Sequence, residues 1–254
     1  MRLRDRAVAR VAMAPLQLRH WAALARMITT YERPRAAIRR YLSNSGAYPW
    51  KPAIRTPTGV IRPGLRDYHD LLTVNEVFCR RDYGHGRDLE VVVDIGANIG
   101  LAALFFLTRD RSCRVYCFEP DPANSDVLRE TLSGLEDRYS LIERAVTPQP
   151  SAHVGFVPQG RYGRFAQAGE DAVEVPAIGM AEAIQEVLTG EPRVDLVKID
   201  TEGSELKLVE ALRSHSVMAK VGSVVYEDND GHTRWLRAGS RVGVRKHRRR
   251  GAAR

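Results

Sequence analysis

The sequence predicts an α/β fold, a mostly parallel sheet with flanking helices that is preceded by a helical N-terminal extension. Three observations carry this. From Glu90 onwards short β-branched runs alternate with helical patterns, as βαβ units do. Val91, Val92, Val93 and Ile95 form a continuous apolar run around Asp94, which suits a strand buried on both faces. The run leads into Gly96-Ala97-Asn98-Ile99-Gly100, a glycine-rich turn that lets the backbone bend sharply and approach a ligand before a helix begins.

Each element follows in order. Residues 1–45 read as amphipathic helix, with Val8, Val11, Met13 and Leu16, then Trp21, Leu24 and Met27, on one side and Arg on the others. Packing against the main domain is the expected role, with weak contact to an anionic membrane surface as a second use of the basic faces. Pro49, Pro52, Pro57 and Pro63, with Gly59 and Gly64, make residues 46–64 an irregular connection. A short helix over Asp70–Phe78 then delivers the chain to the sheet. Strands are expected at Val91–Ile95, Arg114–Phe118, Leu141–Val146, Val194–Ile199 and Gly222–Tyr226. Helices fit at Leu101–Thr108, Asn124–Leu135, Ala181–Leu188 and Ser204–Leu212, and Val154–Val157 with Val173–Val175 reads as an inserted hairpin. Three segments result: an extension and connector (1–64), a cofactor-binding domain (65–230) and a basic, disordered tail (231–254).

Net charge is +8, and its distribution matters more than its size. Residues 1–40 carry +8 and residues 234–254 carry +9, so residues 41–233 carry −9. An acidic centre suits a cationic cofactor and offers no track for phosphates, so no nucleic acid is expected. Cys79, Cys113 and Cys117 have no framework spacing and read as inert thiols, with Cys113 and Cys117 buried at a strand. A reducing cytoplasm follows from that usage. Arg2, Arg4, Arg6 and Arg10 break up any secretory leader, and no apolar run approaches a membrane span.

The glycine-rich turn departs from the dinucleotide fingerprint, because Asn98 stands where the second Gly would be. Asp94 beside the turn would repel a pyrophosphate, but it favours a ligand carrying an ammonium and a sulfonium. S-adenosylmethionine carries both and has no phosphate. Asp94, Gly96, Asn98 and Gly100 are therefore candidate cofactor residues. Phe118-Glu119-Pro120-Asp121-Pro122 ends the next strand, and its Glu119 lies where an acid accepts hydrogen bonds from ribose hydroxyls. Pro120 and Asp121 join the candidate set, with helix capping as the competing role for the acids.

The stretch Lys198-Ile199-Asp200-Thr201-Glu202-Gly203-Ser204-Glu205 closes a later strand, so Asp200 and Glu202 are expected in the same crevice as Asp94. Asp200 is the candidate to orient an acceptor hydroxyl or take its proton. Glu202 either binds a substrate hydroxyl or caps the next helix, as do Thr201 and Ser204. His85 and His153 are weaker candidates for a base. Asp228-Asn229-Asp230-Gly231 fails as a calcium loop, since Tyr226 and Arg237 occupy ligand positions, and no metal is expected.

These motifs resemble the FkbM family of S-adenosylmethionine-dependent methyltransferases: VVVDIGANIG at 91–100, FEPDP at 118–122 and LVKIDTEGSE at 196–205, with the lead-in LTVNEVFCRRDYG at 72–84. The resemblance covers about 72–227. It implies a class I methyltransferase fold of seven strands and O-methylation of a saccharide, glycolipid or secondary-metabolite hydroxyl. It also implies that Asp94, Gly96, Asn98 and Gly100 hold the methionine end, Glu119 the ribose, and Asp200 with Glu202 the reaction centre. After Glu227 the chain departs from that pattern. Trp235-Leu236 and Val242-Gly243-Val244 form a short hairpin at best, so the fifth strand is expected as an exposed edge. The rival reading is a non-catalytic S-adenosylmethionine-fold protein with a truncated end.

Overall fold

The structure, a computed structural model, describes residues 18–84, 88–159, 162–166, 170–201, 203–228 and 232–237. Two helices open it, α1 (Leu18–Thr30) and α2 (Pro34–Ser43). The single amphipathic stretch expected here is thus broken, because Pro34 cannot continue a helix and takes the first position of a new one. The earlier part of that stretch, including Val8 to Leu16, lies outside the described residues. Met27, Tyr31 and Ala37 are buried against the main domain, and Arg26 donates to the Cys79 carbonyl at 2.9 Å. The extension is therefore part of the core.

Residues 46–64 are less irregular than their prolines suggest. Strands β1 (Ile54–Thr56) and β2 (Gly59–Ile61) form a small antiparallel hairpin, turned at Pro57–Thr58 and followed by Gly59 at φ +140°. Helix α3 (Tyr68–Val74), capped by Asp67, runs into a π-helical turn at Asn75–Arg80. The buried Asn75 amide holds that turn, donating to the Leu71 carbonyl at 3.0 Å and accepting from the Tyr31 hydroxyl at 3.3 Å.

The main sheet comprises β3 (Val91–Ile95), β4 (Arg114–Phe118), β5 (Tyr139–Ile142), β10 (Val194–Ile199), β11 (Val221–Glu227) and β12 (Thr233–Arg237). Their order is β12-β11-β10-β3-β4-β5, with β12 alone antiparallel. Helices α4 (Leu101–Leu107) and α5 (Pro122–Thr131) cover one face together with the N-terminal extension. Helices α6 (Met180–Leu188) and α7 (Glu205–Ser214) cover the other. The period of two along β3 sorts Val92 to the first face and Val91, Val93 and Ile95 to the second. From β3 the chain first winds outwards through β4 to β5, then returns to β3's other side at β10. The strand order therefore reverses at β3, and the crevice beyond its carboxyl end is where such sheets bind ligands.

Three expectations change. The strand expected over Leu141–Val146 is two strands in two sheets. Strand β5 ends at Ile142, and β6 (Ala145–Thr147) joins a separate sheet with β7 (His153–Gln159), β8 (Tyr162–Phe165) and β9 (Val173–Gly179), in the order β6-β9-β7-β8. The inserted hairpin is accordingly a four-stranded unit. Second, the fifth strand is no exposed edge: β12 pairs along β11 from Thr233 to Arg237 and buries Leu236. The domain thus continues past 230, with β12 as the last strand on that side among the described residues, while the rest of the basic tail lies outside them. Third, the main sheet has six strands among the described residues where seven were implied.

Because Leu236 pairs with Val224 and is buried in the same apolar cluster as Val197 and Leu212, replacing it by Ala should cost about 2–3 kcal/mol. Urea denaturation measures this, and an unchanged midpoint would mean that β12 is not docked in solution.

Candidate active site

The crevice is built from three strand ends. At β3, Gly96 (φ +74°), Asn98 (φ +50°) and Gly100 (φ +81°) turn the chain in the left-handed region. A Cβ on Gly96 would collide with the Asp200 carbonyl oxygen, so this glycine lets the β3 and β10 ends meet. At Gly100 a Cβ would stand 2.9 Å from Leu128 Cγ, which sets how closely α4 packs on α5.

Asp94 is fully buried. The ammonium of Lys198 stands 2.9 Å from its Oδ1, 2.9 Å from the Gly96 carbonyl oxygen and 3.6 Å from Asp200 Oδ2. Asp94 is thus compensated in charge through Oδ1, while its Oδ2 has no hydrogen-bond partner among the described residues. A buried carboxylate with vacant lone pairs is costly unless a ligand supplies donors. Burial pushes the Asp94 carboxyl up, and the Lys198 ammonium opposes that. For Lys198, burial lowers the pKa, but Asp94 and Asp200 outweigh it and raise it to about 12. The ammonium is a fixed charge, and no base.

Asp200 follows β10, its backbone N–H donating to the Ile95 carbonyl at 3.0 Å. The Tyr83 hydroxyl donates to Asp200 Oδ2 at 3.0 Å, and its ring lies 5.7 Å from the Lys198 ammonium. Burial, followed by the charge of Asp200, holds the Tyr83 phenol well above its ordinary value, so it remains a donor. The Asp200 side chain is 40% exposed, and its Oδ1 faces no protein donor within hydrogen-bond distance among the described residues. The turn after it is organised by Glu205, whose carboxylate accepts from the backbone of Thr201 at 2.8 Å and Gly203 at 3.0 Å. Thr201 and Ser204 share a hydroxyl–hydroxyl bond of 2.7 Å. These contacts are local, and Ser204, the N-cap of α7, makes no side-chain capping bond to the helix.

Glu119, at the end of β4, is buried and already well supplied. It accepts from Asn98 N at 2.8 Å, Asp121 N at 3.0 Å and the Asn124 amide at 3.3 Å. Burial raises its carboxyl, and these donors oppose the rise. Glu119 therefore ties the glycine-rich turn to the β4 end and keeps limited further acceptor capacity. Asp121 caps α5 through Ala123 N at 2.9 Å, with Pro120 half-buried before it. Asn98 folds back to accept from Ile99 N at 2.7 Å.

The structure thus gathers Asp94, Gly96, Asn98, Glu119 and Asp200 around adjoining strand ends. Glu202 and His85 lie outside the described residues, as do 229–231 of the Asp228 loop. His153 is exposed at the start of β7. The three cysteines are buried and free. No group of three or more metal-ligating side chains occurs among the described residues. Likewise, no helix among them is long and apolar enough to cross a membrane. Sequence reasoning missed Lys198 and Tyr83, although both stand inside the stretches that carry the family resemblance.

Residues 94–237 match the methyltransferase FkbM domain, from the buried Asp94 to the last residue of β12. The chain belongs to the FkbM methyltransferase family. Three curated relatives agree with the family. Methyltransferase sdnD of Sordaria araneosa is 25% identical over 48% of this chain and 60% of its own length. Hexuronic acid methyltransferase AglP of Haloferax volcanii is 24% identical over 70% of this chain and 77% of its own. The 31-O-demethyl-FK506 methyltransferase FkbM of Streptomyces tacrolimicus is 25% identical over 70% and 81%. Against sdnD the chain spans under two thirds of the relative's length. The match begins on Asp94 and takes in Lys198 and Asp200, so the charge cluster lies within the FkbM domain; Tyr83 contributes from outside it.

Replacing Lys198 by Met leaves two carboxylates facing each other without their cation, and should cost about 3–5 kcal/mol at neutral pH. The Asp94 carboxyl lies above its ordinary value in the fold, so the native state keeps its proton longer than the unfolded chain. The variant should therefore regain stability as pH falls from neutral, narrowing its gap to the parent. Urea midpoints between pH 5 and 8 measure this; parallel profiles for the two proteins would contradict it.

Proposed function

We propose that the chain transfers a methyl group from S-adenosylmethionine to a hydroxyl of a saccharide, glycolipid or secondary metabolite. The observation that carries this reading is the buried Asp94 carboxylate at the point where the strand order reverses, its Oδ1 facing the Lys198 ammonium and its Oδ2 without a hydrogen-bond partner among the described residues. That environment suits an ammonium-bearing ligand and penalises a pyrophosphate. When bound, the cofactor supplies an electrophilic methyl on a positively charged sulfur. Asp94 would receive its amino group, Gly96 and Gly100 would allow close backbone approach, and Glu119 would offer its remaining acceptor capacity to the ribose. Pro120 and Asp121 would set the chain beside it, and Asn98 would hold the turn.

Acceptor chemistry falls to Asp200. Tyr83 and Lys198 fix Oδ2, which leaves Oδ1 to accept the hydrogen bond of an incoming hydroxyl and take its proton as the new C–O bond forms. Much of the rate would come from orientation, since the two reactants must meet in line. Glu202 is proposed as a second contact to the acceptor. Oxygen as the methylated atom is supported by a relative named for a 31-O-demethyl acceptor, and a sugar acceptor by one named for a hexuronic acid. The pairing of β12 along β11 supports this reading over the truncated, inactive alternative.

Calorimetric titration should show saturable binding of S-adenosylmethionine and none of NADH. Asp94→Asn should weaken that binding roughly tenfold or more, having lost a buried charge-assisted bond. Asp200→Asn should retain binding while losing most transfer of labelled methyl to an active member of a glycoside and uronic-acid panel. Binding of NADH alone would sink the reading, and full transfer by Asp200→Asn would remove that residue's role.

A further inference from the structure

We propose that the groove between α2 and the Trp50–Ala53 segment is a binding site for a phosphate-type oxyanion, either on a soluble ester or on a lipid headgroup. The groove encloses about 640 Å³. Six basic side chains line it, Arg33, Arg35, Arg39, Arg40, Lys51 and Arg62, against one carboxylate, Glu32. Glu32 is taken up by Arg62 at 3.5 Å. The side chains of Arg33, Arg35, Arg39 and Lys51 have no hydrogen-bond or ion-pair partner among the described residues. Arg35 and Arg39 stand one helical turn apart on α2, so both address the same wall of the groove.

The floor is built rather than loose. Arg40 lies 4.7 Å over the Trp50 ring and 5.5 Å over Tyr48, and donates to the Ala47 carbonyl at 2.9 Å. Trp50 also stacks with Tyr31 at 6.3 Å, and Trp50 pairs with Leu65 through the backbone. A fixed guanidinium flanked by unpaired ones favours an anion of more than one charge, which a lone carboxylate does not supply. Trp50 is already engaged by Tyr31 and Arg40, which argues against a nucleobase platform and for a compact anion. Residues 1–17 hold Asp5 as their single acid and residues 238–254 hold none, so neither segment carries the acids that would match the groove's charge. This concentration of positive charge also stands on a chain whose residues 41–233 are net acidic, so it opposes the field of the domain that carries it.

The test uses the full chain with inorganic pyrophosphate as probe, by titration calorimetry at fixed ionic strength. One saturable site is expected, weakened roughly tenfold in Arg35→Gln/Arg39→Gln, as loss of charge-assisted bonds implies. The control Lys207→Gln/Arg213→Gln, which removes the same charge from exposed positions on α7, should leave affinity unchanged. No saturable binding by the parent, or equal weakening in both variants, overturns the proposal. Cosedimentation with phosphatidylglycerol and phosphatidylcholine vesicles then separates the sources. Retention on the former alone, lost in the groove variant, identifies a lipid headgroup; pyrophosphate binding without retention identifies a soluble ester. Groove-dependent binding of a single-stranded oligonucleotide without pyrophosphate binding would overturn the proposal in favour of nucleic acid. None of these readouts depends on methyl transfer.

Discussion

The ammonium of Lys198, held between Asp94, Asp200 and the Gly96 carbonyl, is the contact on which the site depends. Two carboxylates at adjoining strand ends would repel each other in a buried setting, and the glycine-rich turn would have a carbonyl pointing into it unpaired. One ammonium answers all three needs, because it has three donors and a single charge. Its position follows from the parallel register of β3 and β10, which sets Lys198 beside Asp94. Both strands are apolar on both faces, so the Asp94–Lys198 pair itself marks the register: a shift by one residue would put each charge on the other face, against apolar side chains. Core packing and site electrostatics are therefore one arrangement, seen from the middle of the sheet and from its end.

How much of this the sequence made legible can be traced to particular residues. Strands β4 and β10 were readable to the residue because RVYCF and VDLVKI are short, apolar and bounded by turn or acidic residues. The break between β5 and β6 was not, because Leu141, Ile142, Ala145 and Val146 are all apolar enough for one strand. Glu143 and Arg144, exposed and half-buried between them, were the available signal. Likewise β12 hides in a run dominated by arginine, where Trp235 and Leu236 give a weak alternation. What makes it a strand is the pairing offered by β11, a tertiary fact that no local pattern encodes.

The site divides in the same way. Asp94, Gly96, Gly100 and Asp200 stand where strand ends and turns put them, and strand ends are visible in a hydropathy pattern. Tyr83 reaches Asp200 across 117 residues, from a loop after a π-helical turn, so its local sequence, though part of the 72–84 lead-in, does not show that it meets Asp200. Glu119 shows the opposite difficulty. Its position was legible, but three of its acceptor sites are spent on Asn98, Asp121 and Asn124, and a single sequence does not reveal how a carboxylate divides itself between fold and ligand.

The N-terminal layer links these observations. Tyr31 from the end of α1 supports Asn75 in the π-helical turn, and that turn leads directly to Arg81 in a left-handed conformation and then to Tyr83. The helical extension therefore does more than cover apolar surface: it fixes the segment that delivers the tyrosine to the crevice. Its outer side carries the basic groove, while its inner side closes the core over α4. An acidic crevice for a cationic cofactor and a basic groove for an anion require opposite fields within one small molecule. Separating them onto different layers, with an apolar core between, keeps the charges from neutralising each other, because screening by water and salt is strong at the surface and the core holds no mobile charge.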